Sequence, residues 1–126
     1  MKTRYITTDL DIEGPTDLSL LVEEFGEEVV PHFCGAAGEI FRASFGIASC
    51  GSESGDINFY CTLISSLSDN ARELIETCTK IDFNLGYEAG KQPKSWRSIL
   101  PNEDLERIAS VGGDVVVTIY PYGTYS

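Results

Sequence analysis

The run Ile81-Asp82-Phe83-Asn84-Leu85-Gly86-Tyr87-Glu88 decides how this chain is read, because Ile81, Phe83, Leu85 and Tyr87 alternate with polar or small residues. A period of two is the pattern of a strand with one buried face. It predicts a strand over residues 80–88, whose apolar side must be covered by helices from elsewhere in the chain. Residues 90–98, Gly90 to Ser98, then read as a long turn. Pro101-Asn102-Glu103-Asp104 opens a helix with Asn102 as its cap and acids in the first turn, where the helix dipole favours them. Leu105, Ile108 and Ala109 mark its buried face, Gly112-Gly113 ends it, and residues 115–120 form a last strand stopped by Pro121.

Upstream, residues 5–12 pattern as a first strand, with Leu10 and Ile12 on one face and Asp9 and Asp11 on the other. Gly14-Pro15-Thr16-Asp17 breaks it, and Leu18, Leu21, Val22 and Phe25 recur at helical spacing up to Gly26, placing a helix at about 16–25. Residues 27–38 read as loop with room for a short edge strand, since Pro31 and Gly35-Ala36-Ala37-Gly38 interrupt any regular pattern. Residues 40–48 give the next strand, with Phe41, Ala43, Phe45 and Ile47 on one side. Residues 56–67 fit both periods: Ile57, Phe59, Cys61 and Leu63 alternate, while Ile57, Tyr60, Cys61, Ile64 and Leu67 follow a helix. Helix is preferred, because Asp56 can cap it and Ala71, Leu74, Ile75 and Cys78 continue the spacing; two helices are expected, at 56–66 and 69–78.

The expected fold is α+β: residues 1–126 as a single domain, a single-layer, mainly antiparallel four-stranded sheet with helices on one face. A shift of 87 positions lays Asp17, Leu18, Leu21, Val22 and Gly26 on Asp104, Leu105, Ile108, Ala109 and Gly113, which suggests two related strand-helix halves.

Twenty acids against nine Lys and Arg give −11, a balance that opposes nucleic acid and anionic membrane as partners and admits a basic protein. The first 60 residues carry eleven acids and three bases, −8, and the remainder nine and six, −3, so the acidic surface belongs mainly to the first half. No apolar run reaches the roughly 18–20 residues needed to span a bilayer, and the N-terminus enters a strand without a signal-peptide pattern, so a cytoplasmic location is expected. Cys34, Cys50, Cys61 and Cys78 stand 16, 11 and 17 positions apart with no C-x-x-C pair, and are expected to be reduced and mostly core filler.

His32-Phe33-Cys34 offers two metal ligands where zinc needs four, so no metal and no cofactor are expected; a Cys–His nucleophilic pair with His32 lacks an orienting third residue, so no catalytic residue is assigned. Gly86-x-x-x-Gly90 lacks the Lys-Ser/Thr of a phosphate loop and reads as a turn device. Glu23, Glu24, Glu27 and Glu28 gather at the C-terminal end of the first helix, an end the dipole makes unfavourable for carboxylates but one a cationic partner would favour. Trp96, between Lys94 and Arg97, reads either as a cap on the core or as an interface anchor, the cap being preferred. Tyr120-Pro121-Tyr122-Gly123-Thr124-Tyr125 reads equally as an aromatic contact surface and as a packed strand end with a frayed tail.

Residues 78–121 resemble a bacterial family, domain of unknown function 4279. The residues that carry the resemblance are Phe83, Leu85-Gly86-Tyr87-Glu88, Gly90, Pro93, Leu100, Leu105, Ile108-Ala109, Gly112, Val117 and Ile119-Tyr120-Pro121. The resemblance implies a small single-domain cytosolic protein of the acidic kind found beside bacterial toxins as immunity proteins, and it transfers no catalytic residue. The expectation is a non-enzymatic inhibitor that binds a toxin, such as a basic nuclease domain, through Glu23, Glu24, Glu27, Glu28, Glu88, Trp96 and Tyr122. The alternative is a small-ligand or housekeeping domain with a pocket near Tyr87, Glu88 and Trp96.

Overall fold

The computed structural model describes residues 2–91 and 94–125; Met1, Ser126 and two members of the expected turn, Gln92 and Pro93, lie outside the described residues. The elements run β1 Arg4–Gly14, α1 Ser19–Phe25, β2 Val29–Ala37, β3 Ile40–Ile47, α2 Glu53–Ser65, α3 Asp69–Glu76, β4 Lys80–Glu88, α4 Asn102–Ser110 and β5 Asp114–Tyr120. Among the described residues, five strands form one sheet in the order β2-β3-β1-β4-β5. The β4 strand has the bounds its alternation predicts, and the two consecutive helices are present.

Register shows why the helices share one face. Leu10 stands opposite both Phe45 and Phe83, Ile12 opposite both Ala43 and Ile81, and all six are buried. Onto this surface α1 lays Leu21 and Phe25, α2 lays Ile57, Tyr60 and Ile64, and α4 lays Ile108. Tyr60 is fully enclosed; its hydroxyl donates to the Thr8 carbonyl at 2.9 Å, and its ring meets Phe83 edge-on at 6.2 Å. The opposite sheet face is polar, with Asp9 opposite Asn84, Asp11 between Ser44 and Asp82, and Glu13 between Arg42 and Lys80.

The expected sheet is corrected in two respects. The segment read as loop is a nine-residue strand, β2, antiparallel to β3 with its register shifting between Pro31 and Phe33. As an edge strand it tolerates proline, and with Val29 as its one buried residue it shows no alternation to read. The last strand, β5, runs parallel to β4, because α4 serves as a crossover between them.

Two caps and a repeat also differ. Ser52 caps α2, accepting from the Gly55 N–H at 3.0 Å, while Asp56 is a buried residue inside the first turn. The cap position of α4 is Pro101, with no side-chain cap bond, and Asn102 is already helical. The two halves are not equivalent: Leu18 is 1% exposed and Leu105 46%, and α1 feeds a strand at the far edge whereas α4 bridges two parallel neighbours. The α4 helix ends in a Schellman turn, with Gly112 at φ +77° donating to Ala109 and the Gly113 N–H donating to Ile108. Of the four thiols, Cys61 is buried and Cys78 half-buried, but Cys34 and Cys50 are exposed and fill no core.

Candidate functional site

The four glutamates at the end of α1 are exposed. Glu24 is nevertheless engaged: its carboxylate accepts from the Ser68 N–H at 2.8 Å and the Ser68 hydroxyl at 2.5 Å, while Ser68 caps α3 by accepting from the Ala71 N–H at 3.2 Å. The end of α1 therefore lies against the N-terminal end of α3, whose positive dipole offsets the negative end of α1. The Ser68 hydroxyl, followed by its backbone N–H, holds the Glu24 carboxyl below the usual glutamate range. The same contact brings exposed Asp69, the first residue of α3, to the end of α1; Glu73 and Glu76, further along α3, are exposed too, and sequence reasoning assigned none of the three. Their helical spacing was readable, but the packing of α3 against α1 was not. Arg72, among them, uses its guanidinium on the Ser65 carbonyl at 2.7 Å.

A second cluster forms where the C-terminal end of β4 meets the N-terminal end of α2. The Tyr87 ring stands edge-on to Tyr5 at 5.6 Å and to Trp96 at 5.3 Å, and its hydroxyl donates to Glu53 at 3.1 Å. The Ser98 hydroxyl donates to the same carboxylate oxygen at 2.6 Å, tying the long turn to α2. Burial, then the Glu53 carboxylate, pushes the Tyr87 phenol up to about 12. Tyr5 is raised further, by burial and then by Asp56, to which it donates at 2.5 Å. Asp56 also accepts from the Ser49 hydroxyl at 2.7 Å and the Cys50 N–H at 2.6 Å. Its lone pairs are taken up by the protein itself, which makes it a structural tie between β1, α2 and the preceding turn. Asp104 does the same between helices, accepting from the Ser54 hydroxyl and from Arg107. Trp96 is 41% exposed, so one side of the indole covers Tyr87 while the other meets solvent.

Glu88 is not part of that cluster. Successive strand residues point to opposite faces, so Tyr87 turns to the helices and Glu88 to the other side of the sheet. There it is 1% exposed, accepting from the Arg4 guanidinium at 3.1 Å and the Tyr125 N–H at 2.7 Å. It pins the chain's end back on the sheet, where the Tyr125 ring packs on Tyr120 at 5.3 Å, and Tyr122 stands 44% exposed. The structure thus brings Tyr87 and Trp96 together and separates them from Glu88.

At the other end of α2, a cleft of about 400 Å³ opens between the C-terminal ends of α2, α3 and α4. His32 and Cys34 both lie exposed on β2, and among the described residues no three His, Cys, Asp or Glu side chains are arranged to hold a metal ion. Among the described residues, too, no helix is long and apolar enough to cross a membrane. No family model matches the chain, and neither a curated protein nor a solved structure matches it.

Proposed function

We propose that the chain is a non-enzymatic immunity-type protein that binds and neutralises a cognate bacterial toxin, a basic nuclease domain fitting best, through an acidic surface. The observation that carries this reading is the Glu24–Ser68 contact, which sets the end of α1, with exposed Glu23, Glu27 and Glu28, against the start of α3 at exposed Asp69, on a chain of net charge −11. A field of one sign accelerates and orients encounter with a cationic surface, and it opposes nucleic acid as a competing partner. Trp96 and Tyr122 supply the exposed aromatic groups that interfaces favour as anchors. Glu88, being enclosed, holds the fold instead of meeting the partner.

The test is binding to the toxin domain encoded beside the gene, measured at low and high salt. The expected result is micromolar or tighter association that weakens with salt, and that slows in on-rate when Glu23, Glu27 and Glu28 are changed to Lys. No association at micromolar concentration sinks the proposal.

A further inference from the structure

The two edges of the sheet are finished differently. At one edge, β2 carries Pro31 and a register shift, features that keep an edge strand from pairing further. At the other edge, β5 has neither proline nor bulge, and Asp114 is the one charged residue in its sequence DVVVTIY. The Ala89 N–H donates to the Tyr120 carbonyl at 2.8 Å, and a parallel ladder uses alternate residues of each strand. Asp114, Val116, Thr118 and Tyr120 therefore turn their N–H and C=O groups to β4, and Val115, Val117 and Ile119 turn theirs outward. Among the described residues, no turn or loop backbone bonds to those three. Their side chains share the helix-side face with their register partners Phe83, Leu85 and Tyr87, yet they are 40%, 57% and 65% exposed. Leu105, three residues before the buried Ile108 on the same side of α4, is exposed as well.

Charge decides what can cover this edge. A chain of −11 repels its own copy over most of its surface, and β5 is a strip where that repulsion is small. Antiparallel pairing of two β5 strands about Val117 sets Val115 opposite Ile119 and Asp114 opposite Tyr120. The two Asp114 carboxylates then stand about six residues, or roughly 20 Å, apart along the strand, beyond the Debye length of about 8 Å. Each Asp114 is brought to the partner's Tyr120 end, where Trp96 lies on Tyr87, the register partner of Ile119. The segment holding Trp96, residues 89–101, contains Lys91, Lys94 and Arg97 and no acid. The pairing therefore brings acid toward base at both ends.

We propose that the outer edge of β5 pairs with β5 of a second copy of this chain, antiparallel about a two-fold axis at Val117, joining two five-stranded sheets into one of ten. The outward residues meet one another as Val115–Ile119, Val117–Val117 and Ile119–Val115, each pair exchanging two backbone hydrogen bonds. The apolar row on the helix side doubles, flanked by Leu105 of each copy. This dimer does not depend on the inhibitor reading above, since β5 lies apart from the acids of α1.

Sedimentation equilibrium of the full chain over a concentration series tests it, alongside amide hydrogen exchange by NMR. The expected mass rises with concentration from 13.8 kDa to twice that value. Exchange at Val115, Val117 and Ile119 should slow as the dimer forms, whereas Val116 and Thr118, already bonded to β4, should change little. Val117→Lys lowers the net repulsion between copies by charge count, yet the two lysines meet across the axis, so it should weaken dimerisation by about tenfold or more. Ile119→Lys meets Val115 instead of itself and should weaken it less. Both positions are exposed, so the urea midpoint of the monomer is expected to hold. A monomer throughout the series up to millimolar concentration overturns the proposal. So does a dimer whose exchange at the three outward amides is unchanged, or one that Ile119→Lys weakens as much as Val117→Lys.

Discussion

Replacing Gly113 by Ala tests whether the sheet and α4 are packed as closely as the structure has them. A Cβ at this position would lie 2.7 and 2.9 Å from two carbons of the Phe83 ring and 3.0 Å from Ile108 Cγ2. Neither neighbour can step aside into water, since Phe83 is 0% and Ile108 2% exposed. Overpacking of this kind costs about 1–3 kcal/mol. The same change stiffens the unfolded chain, which returns about 0.4–1 kcal/mol. The clash therefore outweighs the entropic gain, for a net loss of about 1–2 kcal/mol. In a domain of 126 residues that loss lowers Tm by about 4–8 °C. Urea unfolding followed by circular dichroism reads it as a lower midpoint at unchanged m. Adding Phe83→Leu, which removes the obstructing ring atoms, should make the double variant more stable than the sum of the single effects by at least about 0.5 kcal/mol. Gly113→Ala as stable as the parent, or strict additivity with Phe83→Leu, would refute the packing argument.

Glu24→Gln should destabilise the fold at neutral pH. Because the Glu24 carboxyl is held below its ordinary range by Ser68, its contribution is present above the unfolded pKa and lost as pH falls through the folded one. The difference between parent and variant must shrink in acid; a pH-independent difference in midpoint contradicts the Ser68 assignment. At the alkaline end, Tyr5 and Tyr60 lie above the usual phenol range and Tyr87 at about 12, with burial the leading cause in each. Their raised pKa values contribute stability that is complete below pH about 10 and lost as pH climbs through the folded values. Tyrosinate absorbance should show these three ionising only as helicity is lost, and all six tyrosines titrating near pH 10 with the circular dichroism unchanged would contradict it.

Much of the fold was legible because its central elements bury one face. The alternation of Ile81, Phe83, Leu85 and Tyr87 is complete because β4 lies inside the sheet with helices on one side. β2 was illegible for the opposite reason: at the edge, burial imposes no pattern on His32, Phe33 and Cys34. The parallel placement of β5 had a trace in the unbroken Val115-Val116-Val117, since continuous β-branched runs suit parallel strands, but an exposed edge strand carries such a run too. The candidate site divides the same way. Acids on α1 could be recognised one by one, whereas the hydrogen bond from Ser68, 44 positions away, that joins them to α3 is a product of tertiary packing. Glu88 was different, because its separation from Tyr87 follows from the same period of two that identified the strand.

The placement of charge around the helices separates acids that hold the fold from acids that face outward. Ser54 donates to Asp104, which draws the N-terminal ends of α2 and α4 together, and each carries first-turn acids: Glu53 and Asp56 on one, Glu103 and Asp104 on the other. α3 has Asp69 and, across the interface, Glu24. The positive ends of α2, α3 and α4 are thus met by carboxylates, the arrangement the helix dipole favours, and at α1 Asp17 accepts from the Ser19 N–H. At the other ends, among the described residues, Arg72 reaches the Ser65 carbonyl at the end of α2, and Arg107 in the last turn of α4 pairs with Asp104. The −11 charge is therefore not a uniform coat. Removing Asp56 or Asp104 strips buried hydrogen-bond acceptors from neighbouring donors and weakens the fold, whereas removing Glu23, Glu27, Glu28 or Glu76 leaves every bond described above intact. If the exposed acids exist to meet a cation, their loss must appear in association and not in stability, and that difference marks them as a binding surface.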